Sequence, residues 1–277
     1  MTGVRLSGKS GSPDAVVRVP GSKSVANRAL VCAALAPEGA VSRVRNVPGG
    51  DDCSAMVGAL VACGAAHVDE IRGGLFPQGV DRFDAGIAGT TSRFLTAVAA
   101  LSPSGIVIDG GDPLRRRPMA DLHEALRHLG ARVDAVDGAA PGHLPVRVSG
   151  GNLAGGSVAI RGDVSSQFIS ALMLVGPVMR DGLRISVSGT LVSRPYVEMT
   201  AEVMRVFGAQ VEIDSDHVTV HPGAYHRTDY EVEPDFSSAA FAVMSLAFSP
   251  GRVRVPRLHT AMLQGDSLVL DIARTMG

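Results

Sequence analysis

Four stretches of the sequence close in the same way, with an amphipathic run ending on Gly64, Gly130, Gly208 and Gly277. Each reads as a helix stopped by a C-terminal glycine, the residue that enters the left-handed conformation without steric cost. After the first three come Ala65-Ala-His-Val68, Ala131-Arg-Val133 and Ala209-Gln-Val211, which predict the start of a strand. A second series keeps the same phase: Gly21-Ser-Lys-Ser24, Gly89-Thr-Thr91, Asp163-Val-Ser-Ser166 and Asp235-Phe-Ser-Ser238. Each of these hydroxyl clusters leads into an apolar helical stretch. A unit of roughly 70 residues thus holds a Ser/Thr-capped buried helix, a more polar helix ending on glycine, and strands. Apolar runs at 16–19, 106–108 and 183–187 predict buried strands. The expectation is an α/β fold of repeated units, each mixing parallel crossovers with a hairpin. The fourth unit stops on its closing glycine before its strands, so the sequence reads as C-terminally truncated.

Composition narrows the function. The 277 residues are 45% hydrophobic and 19% charged, as expected of a chain with a real core. A net charge of −1 gives no bulk attraction to nucleic acid or an anionic membrane. With no tryptophan and 4% aromatic residues, base-stacking platforms are not expected. Residues 1–10 lack the apolar core of a signal peptide. The longest apolar runs, 169–175 and 239–248, fall far short of the ~20 residues that span a bilayer. Cys32, Cys53 and Cys63 show no metal-ligand spacing, and a reduced cytoplasmic compartment is the simplest reading. Of the 26 basic residues only Lys9 and Lys23 are lysines, which singles out two positions for a compact ammonium.

Two motifs fail on physical grounds. Gly3 to Ser10 spells a Walker A loop but neither follows a buried strand nor opens a helix, so it reads as a turn. His123-Glu124 with His128 resembles a zinc motif, yet the histidines do not share a helix face; surface helix positions are expected. His217, His221 and His226 are scattered, and no metal site is expected.

The helix starts carry the chemistry. Helix N-termini expose unpaired N–H groups and partial positive charge, which attract phosphates and carboxylates. Here they also carry cations: Lys23 and Arg28, Arg93, the run Arg115-Arg116-Arg117 before Pro118, and Arg194 before Pro195. Both prolines suit a first helical turn, and Gly21 and Gly89 let the backbone approach a ligand closely. A single Ser at such a place is an ordinary cap. The whole set, in phase with a repeat, predicts one pocket for a doubly anionic substrate pair.

At these residues the chain resembles the 5-enolpyruvylshikimate-3-phosphate synthases, the 3-phosphoshikimate 1-carboxyvinyltransferases. The resemblance rests on Val19-Pro-Gly-Ser-Lys-Ser-Val-Ala-Asn-Arg28, Gly86-Ile-Ala-Gly-Thr-Thr-Ser-Arg93, Arg116-Arg117-Pro118 and Asp163-Val-Ser-Ser-Gln167. It continues through Leu191-Val-Ser-Arg-Pro-Tyr196, Pro234-Asp-Phe-Ser-Ser238 and Leu263-Gln-Gly-Asp266, over essentially the whole chain. It implies βαβαββ units in two domains: 21–234 as a complete three-unit domain, 1–20 as the first strand of a discontinuous one, and 235–277 as that domain's incomplete return. It also implies transfer of the enolpyruvyl group of phosphoenolpyruvate to the 5-hydroxyl of shikimate 3-phosphate, with phosphate leaving after a tetrahedral intermediate and no metal or organic cofactor.

By motif match, Lys23, Ser24, Arg28, Ser165, Ser166, Gln167, Ser193 and Tyr196 would bind shikimate 3-phosphate. Lys23, Gly89, Arg117 and Gln167 would bind phosphoenolpyruvate, with Lys23 also catalytic. No nucleic-acid or membrane partner is expected, and a monomer is. Ile87 stands where the family carries a small polar residue. The family's later acidic and basic residues should lie beyond residue 277, so weak binding of shikimate 3-phosphate without turnover is expected. The readings weighed against this are an enolpyruvyl transferase for another acceptor and a non-catalytic substrate-binding fragment. A UDP-N-acetylglucosamine enolpyruvyl transferase would show a Lys-Asn first loop and a catalytic cysteine, and neither is present.

Overall fold

The computed structural model describes residues 14–67, 69–74, 80–246, 251–259, 262 and 264–276. Lys9, the Walker-like run, Val68, Leu263 and Gly277 lie outside the described residues. The chain enters through β1 (Asp14–Val16). A first unit follows, with α1 (Lys23–Ala34), β2 (Val41–Arg45), α2 (Asp51–Ala62), β3 (Ala66–His67) and β4 (Glu70–Arg72). The second holds β5 (Arg82–Asp84), α3 (Gly89–Ala99), β6 (Ile106–Asp109), the one-turn α4 (Asp112–Arg115), α5 (Ala120–His128), β7 (Arg132–Ala135) and β8 (Val146–Ser149). The third holds β9 (Gly156–Arg161), α6 (Ser166–Val175), β10 (Leu183–Ser188), α7 (Arg194–Val206), β11 (Val211–Ile213) and β12 (His217–Val220). Beyond it lie β13 (Asp229–Glu231), α8 (Phe236–Ser245), β14 (Arg252–Arg254) and α9 (Leu268–Met276).

The repeat is visible in the sheets. The second unit orders its strands β5-β6-β8-β7 and the third β9-β10-β12-β11. In both, the first two strands are parallel and the last two form an antiparallel hairpin. The first sheet keeps this plan, in the order β13-β2-β4-β3, but its opening strand comes from the far side of the third unit. Thus β13 runs parallel to β2, with Asp229 opposite Arg43. The run at 16–19 is therefore not the buried strand expected of it. The strand there covers Asp14–Val16, Val16 is 56% exposed, and its partner is β14 rather than any of the three sheets.

Each unit contributes one inner helix. α1, α3 and α6 are buried along most of their length, small and aliphatic residues together with buried polar ones such as Arg28, Ser92 and Ser170. α3 packs on α6, and α1 meets both. The more polar α2, α5 and α7 each bury one stripe, exemplified by Cys53, Met56 and Leu60 of α2. Gly64, Gly130 and Gly208 end these helices at φ of 70°, 97° and 90°, conformations that strain any residue with a Cβ.

One buried cation pins the inner helices. Arg28 is 1% exposed and donates to Thr200 Oγ1 at 2.7 Å, Ser24 O at 2.6 Å, Ser170 Oγ at 3.2 Å and Tyr196 O at 3.3 Å. Its guanidinium also lies over the Phe94 ring, 5.3 Å from the centroid. α1, α3, α6 and α7 thus meet at one side chain. Burial brings its pKa down to about 10, so it remains charged at neutral pH.

Two further expectations are corrected. His123 is not on the surface: it faces inward from α5 with Leu122 and Leu126, while Glu124 and His128 are exposed. Its neighbour at i+4, Arg127, turns away to the Val133 carbonyl. Pro118 precedes the cap of α5 instead of sitting in its first turn, whereas Pro195 does lie in the first turn of α7.

Candidate active site

The inner helices bring their starts together through a chain of contacts. At the first turn of α1, Lys23 Nζ donates to Asp52 Oδ2 at 3.2 Å, at the start of α2. The Asp52 carbonyl accepts from Thr91 Oγ1 at 2.7 Å, in the first turn of α3. Next to it, Thr90 Oγ1 accepts from Gln167 Nε2 at 3.3 Å, in the first turn of α6. Four helix starts are therefore coupled within three hydrogen bonds. A cleft of about 230 Å³ opens beside Lys23, lined by Gly21, Asp52, Cys53, Asp235 and Ser238 among others.

The helix starts differ in what is left open. Ser165 caps α6 by accepting from the Gln167 N–H at 3.2 Å, and Asp235 caps α8 by accepting from the Ser238 N–H at 2.9 Å. Ser22, Ala88 and Ser193 cap α1, α3 and α7 without any side-chain hydrogen bond. The general capping expected from the hydroxyl clusters holds at α6, and at α8 through Asp235. At α1 and α3 the first-turn N–H groups keep their capacity for an anion, whereas at α7 Pro195 has no N–H and Tyr196 N already donates to Ser193 O at 3.0 Å. Ser193 holds φ 58°, a left-handed conformation for a residue with a Cβ, and places this cap at the end of its loop.

Gly89 and Gly21 turn out to serve different ends. A Cβ on Gly21 would lie 2.0 Å from the Asn46 carbonyl oxygen, so this glycine permits chain packing, not ligand approach. A Cβ on Gly89 would lie 2.7 Å from Arg117 Nη1 and 2.8 Å from Arg93 Nη1. The missing side chain is what lets two guanidiniums close on the start of α3.

Charge distribution sorts the cations the sequence offered. Arg115 is taken by Asp109, at 2.8 and 2.9 Å, and Arg194 by Glu198 at 2.8 Å. Lys23 is 63% exposed and paired with Asp52. Among the described residues no carboxylate pairs with Arg93 or Arg117. Burial, and then the charge of Arg117, brings the Arg93 pKa down to about 10.

The remaining expected residues fall as follows. Ser24 is half-buried and gives its carbonyl to Arg28; Ser166 is buried; Ser193 is exposed. Tyr196 is half-buried at the start of α7. Burial raises the pKa of its phenol, as does the charge of Asp266 and to a smaller degree Asp235, while Arg28 and Lys23 act the other way. The ring thus stands within reach of the field of Lys23. The Arg28 guanidinium is enclosed by its own chain's acceptors.

Asp52 and Thr90 were not singled out from the sequence. Their signal was weak, because an Asp in a first helical turn and a Thr after Gly89 read as ordinary helix-start residues. The cysteines are inert by environment: burial pushes the Cys32 and Cys53 thiols up to about 12 and that of Cys63 to about 11.

Repeated βαβαββ units with their inner helix starts gathered beside two guanidiniums that lack a carboxylate define an α/β protein of the enolpyruvyl transferase fold. The family model described as EPSP synthase (3-phosphoshikimate 1-carboxyvinyltransferase) matches residues 9–277, and the chain belongs to that family. The 3-phosphoshikimate 1-carboxyvinyltransferase of Methanothermobacter thermautotrophicus is 40% identical over 276 residues, covering 97% of this chain and 64% of that protein. The one from Edwardsiella ictaluri is 37% identical over 274 residues, covering 94% and 63%. The solved EPSP synthase of Acinetobacter baumannii superposes with a TM-score of 0.77 at 25% identity, over 95% of this chain and 59% of that one. The chain thus spans less than two thirds of the length of these relatives.

Proposed function

We propose that this chain carries one face of the site for enolpyruvyl transfer from phosphoenolpyruvate to the 5-hydroxyl of shikimate 3-phosphate. The carrying observation is the coupling of Lys23, Thr91, Thr90 and Gln167 across four helix starts, beside Gly89 and Arg117. In this reading Lys23 neutralises phosphate charge and serves proton transfer, and Arg117 grips an oxyanion of phosphoenolpyruvate at two points. Gln167 stands between the two substrates. Ser24, Ser165, Ser166, Ser193 and Tyr196 hold the shikimate ring and its phosphate, and Arg28 acts from below by fixing α1 against α6 and α7. No bulk charge or membrane-length helix among the described residues suggests another class of partner; three free thiols suit a cytoplasmic setting, and the protein is taken as a monomer.

Residues 21–234 form a three-unit domain in this proposal, with 1–20 and 235–277 belonging to a second. In support, the two connecting segments run side by side: Ser22 N donates to Glu233 O at 2.8 Å and Asp235 N to Pro20 O at 2.9 Å. Among the described residues β1 and β14 pair only with each other.

Calorimetric titration with shikimate 3-phosphate tests the reading. Heat from the wild type and none from Lys23→Ala supports it; equal heat from both, or none from either, removes it.

A further inference from the structure

Arg93 has no part in the residue roles above, yet its setting is unlike that of any other arginine described. It is 6% exposed, its Nη1 donates only to neutral oxygens, Gly89 O at 2.9 Å and Ser92 Oγ at 3.4 Å, and its Nε is buried with no partner. Arg28, the other deeply buried arginine, has four acceptors and an aromatic face. Arg28 is a satisfied packing group; Arg93 is a buried charge left short of acceptors. A second guanidinium, that of Arg117, stands on the same side of Gly89, and its charge adds to the burial that lowers the pKa of Arg93. Two like charges without a carboxylate, one of them desolvated, are costly unless something anionic completes them.

We propose that Arg93 is a specificity-determining residue: the buried second cation of the Gly89–Arg117 anion site, which makes that site prefer a doubly charged phosphoryl group over a single carboxylate. The proposal rests on the anion-site reading given under Proposed function and adds to it the origin of the charge preference. Arg117, exposed at the surface, meets one oxyanion directly. Arg93 lies beneath, fixes the Gly89 carbonyl and contributes its charge through a low-dielectric path where solvent screens little. A monoanion is satisfied by Arg117 alone. A dianion gains from both charges, so removing the buried one costs the dianion more.

The test uses the whole chain in a phosphate-free buffer, titrated with inorganic phosphate and with acetate. Wild type is expected to favour phosphate by about tenfold or more, and to bind it more tightly at about pH 8 than at about pH 6 as the dianion forms. Arg93→Met and Arg93→Gln should bring phosphate close to acetate and flatten the pH dependence, while Arg93→Lys restores most of the preference. Circular dichroism checks each fold, and should Arg93→Met not fold, the contrast between Arg93→Gln and Arg93→Lys decides. Phosphate binding that Lys23→Ala abolishes but the Arg93 variants leave unchanged overturns this proposal alone. Wild type that binds acetate as tightly as phosphate also overturns it. No phosphate uptake by wild type overturns the anion-site reading as well.

Discussion

Lys23 Nζ lies 3.2 Å from Asp52 Oδ2, so the one described lysine of the chain meets the cleft already paired with a carboxylate. The pair is well exposed on the lysine side, and such pairs contribute at most ~1 kcal/mol to stability. Its significance is competitive. An incoming phosphate must share or displace Asp52, and the carboxylate repels it. Asp52→Asn is therefore expected to leave the unfolding midpoint nearly unchanged and to tighten phosphate binding about threefold at low salt, less at high salt. Titration calorimetry at two ionic strengths reads this directly; weaker binding in Asp52→Asn would mean that the carboxylate positions Lys23 more than it competes.

Gly89→Ala separates binding from folding. The added methyl meets the ends of two arginine side chains and not backbone; the exposed end of Arg117 can swing aside, and the buried end of Arg93 must shift within its packing. Near a helix start the substitution should change stability by less than ~1 kcal/mol. Displacing both guanidiniums should weaken phosphate binding by about tenfold or more. Denaturant unfolding and calorimetry on the same preparation check the two halves, and a large loss of stability would contradict the geometry.

Arg28→Ala should behave oppositely. Thr200 Oγ1 and Ser170 Oγ retain their mutual 2.8 Å contact, but the Ser24 and Tyr196 carbonyls lose a charged donor and a cavity opens among four helices. A loss on the order of 3 kcal/mol is expected. A variant as stable as wild type would show that Arg28 is not a packing pin.

His123 gives the fold an acid limit. Burial, then the charges of Arg127 and His143, lowers its pKa from 6.5 to about 4. The native state thus favours the neutral ring, whose Nε2 is buried without a partner. As pH falls below 6.5 the unfolded chain takes up the proton while the folded one resists, so this stabilisation is present above 6.5 and is lost progressively down to about 4. The total is on the order of 3 kcal/mol. Unfolding midpoints measured from pH 7 to 4 should fall less steeply in His123→Leu; parallel curves would refute the assignment.

Much of this protein was legible in one dimension. The glycines at 64, 130 and 208, the hydroxyl clusters and the intervening apolar runs are local signals, because a helix stop needs a left-handed residue and a buried helix needs apolar residues on all faces. They determined the repeat, the helix–strand order and which helix starts would carry charge. The sequence could not determine which strand opens the first sheet, because β13 and β2 are joined by hydrogen bonds between residues far apart in the chain. Nor could it tell a cation that is satisfied from one that is free. Arg28, Arg93, Arg115 and Arg194 read alike in the sequence. Only packing assigns carboxylates to Arg115 and Arg194, a cage of neutral acceptors to Arg28, and too few acceptors to Arg93. Charge balance in a folded chain depends on what lies within a few ångströms in space, and that distance is set by tertiary packing alone.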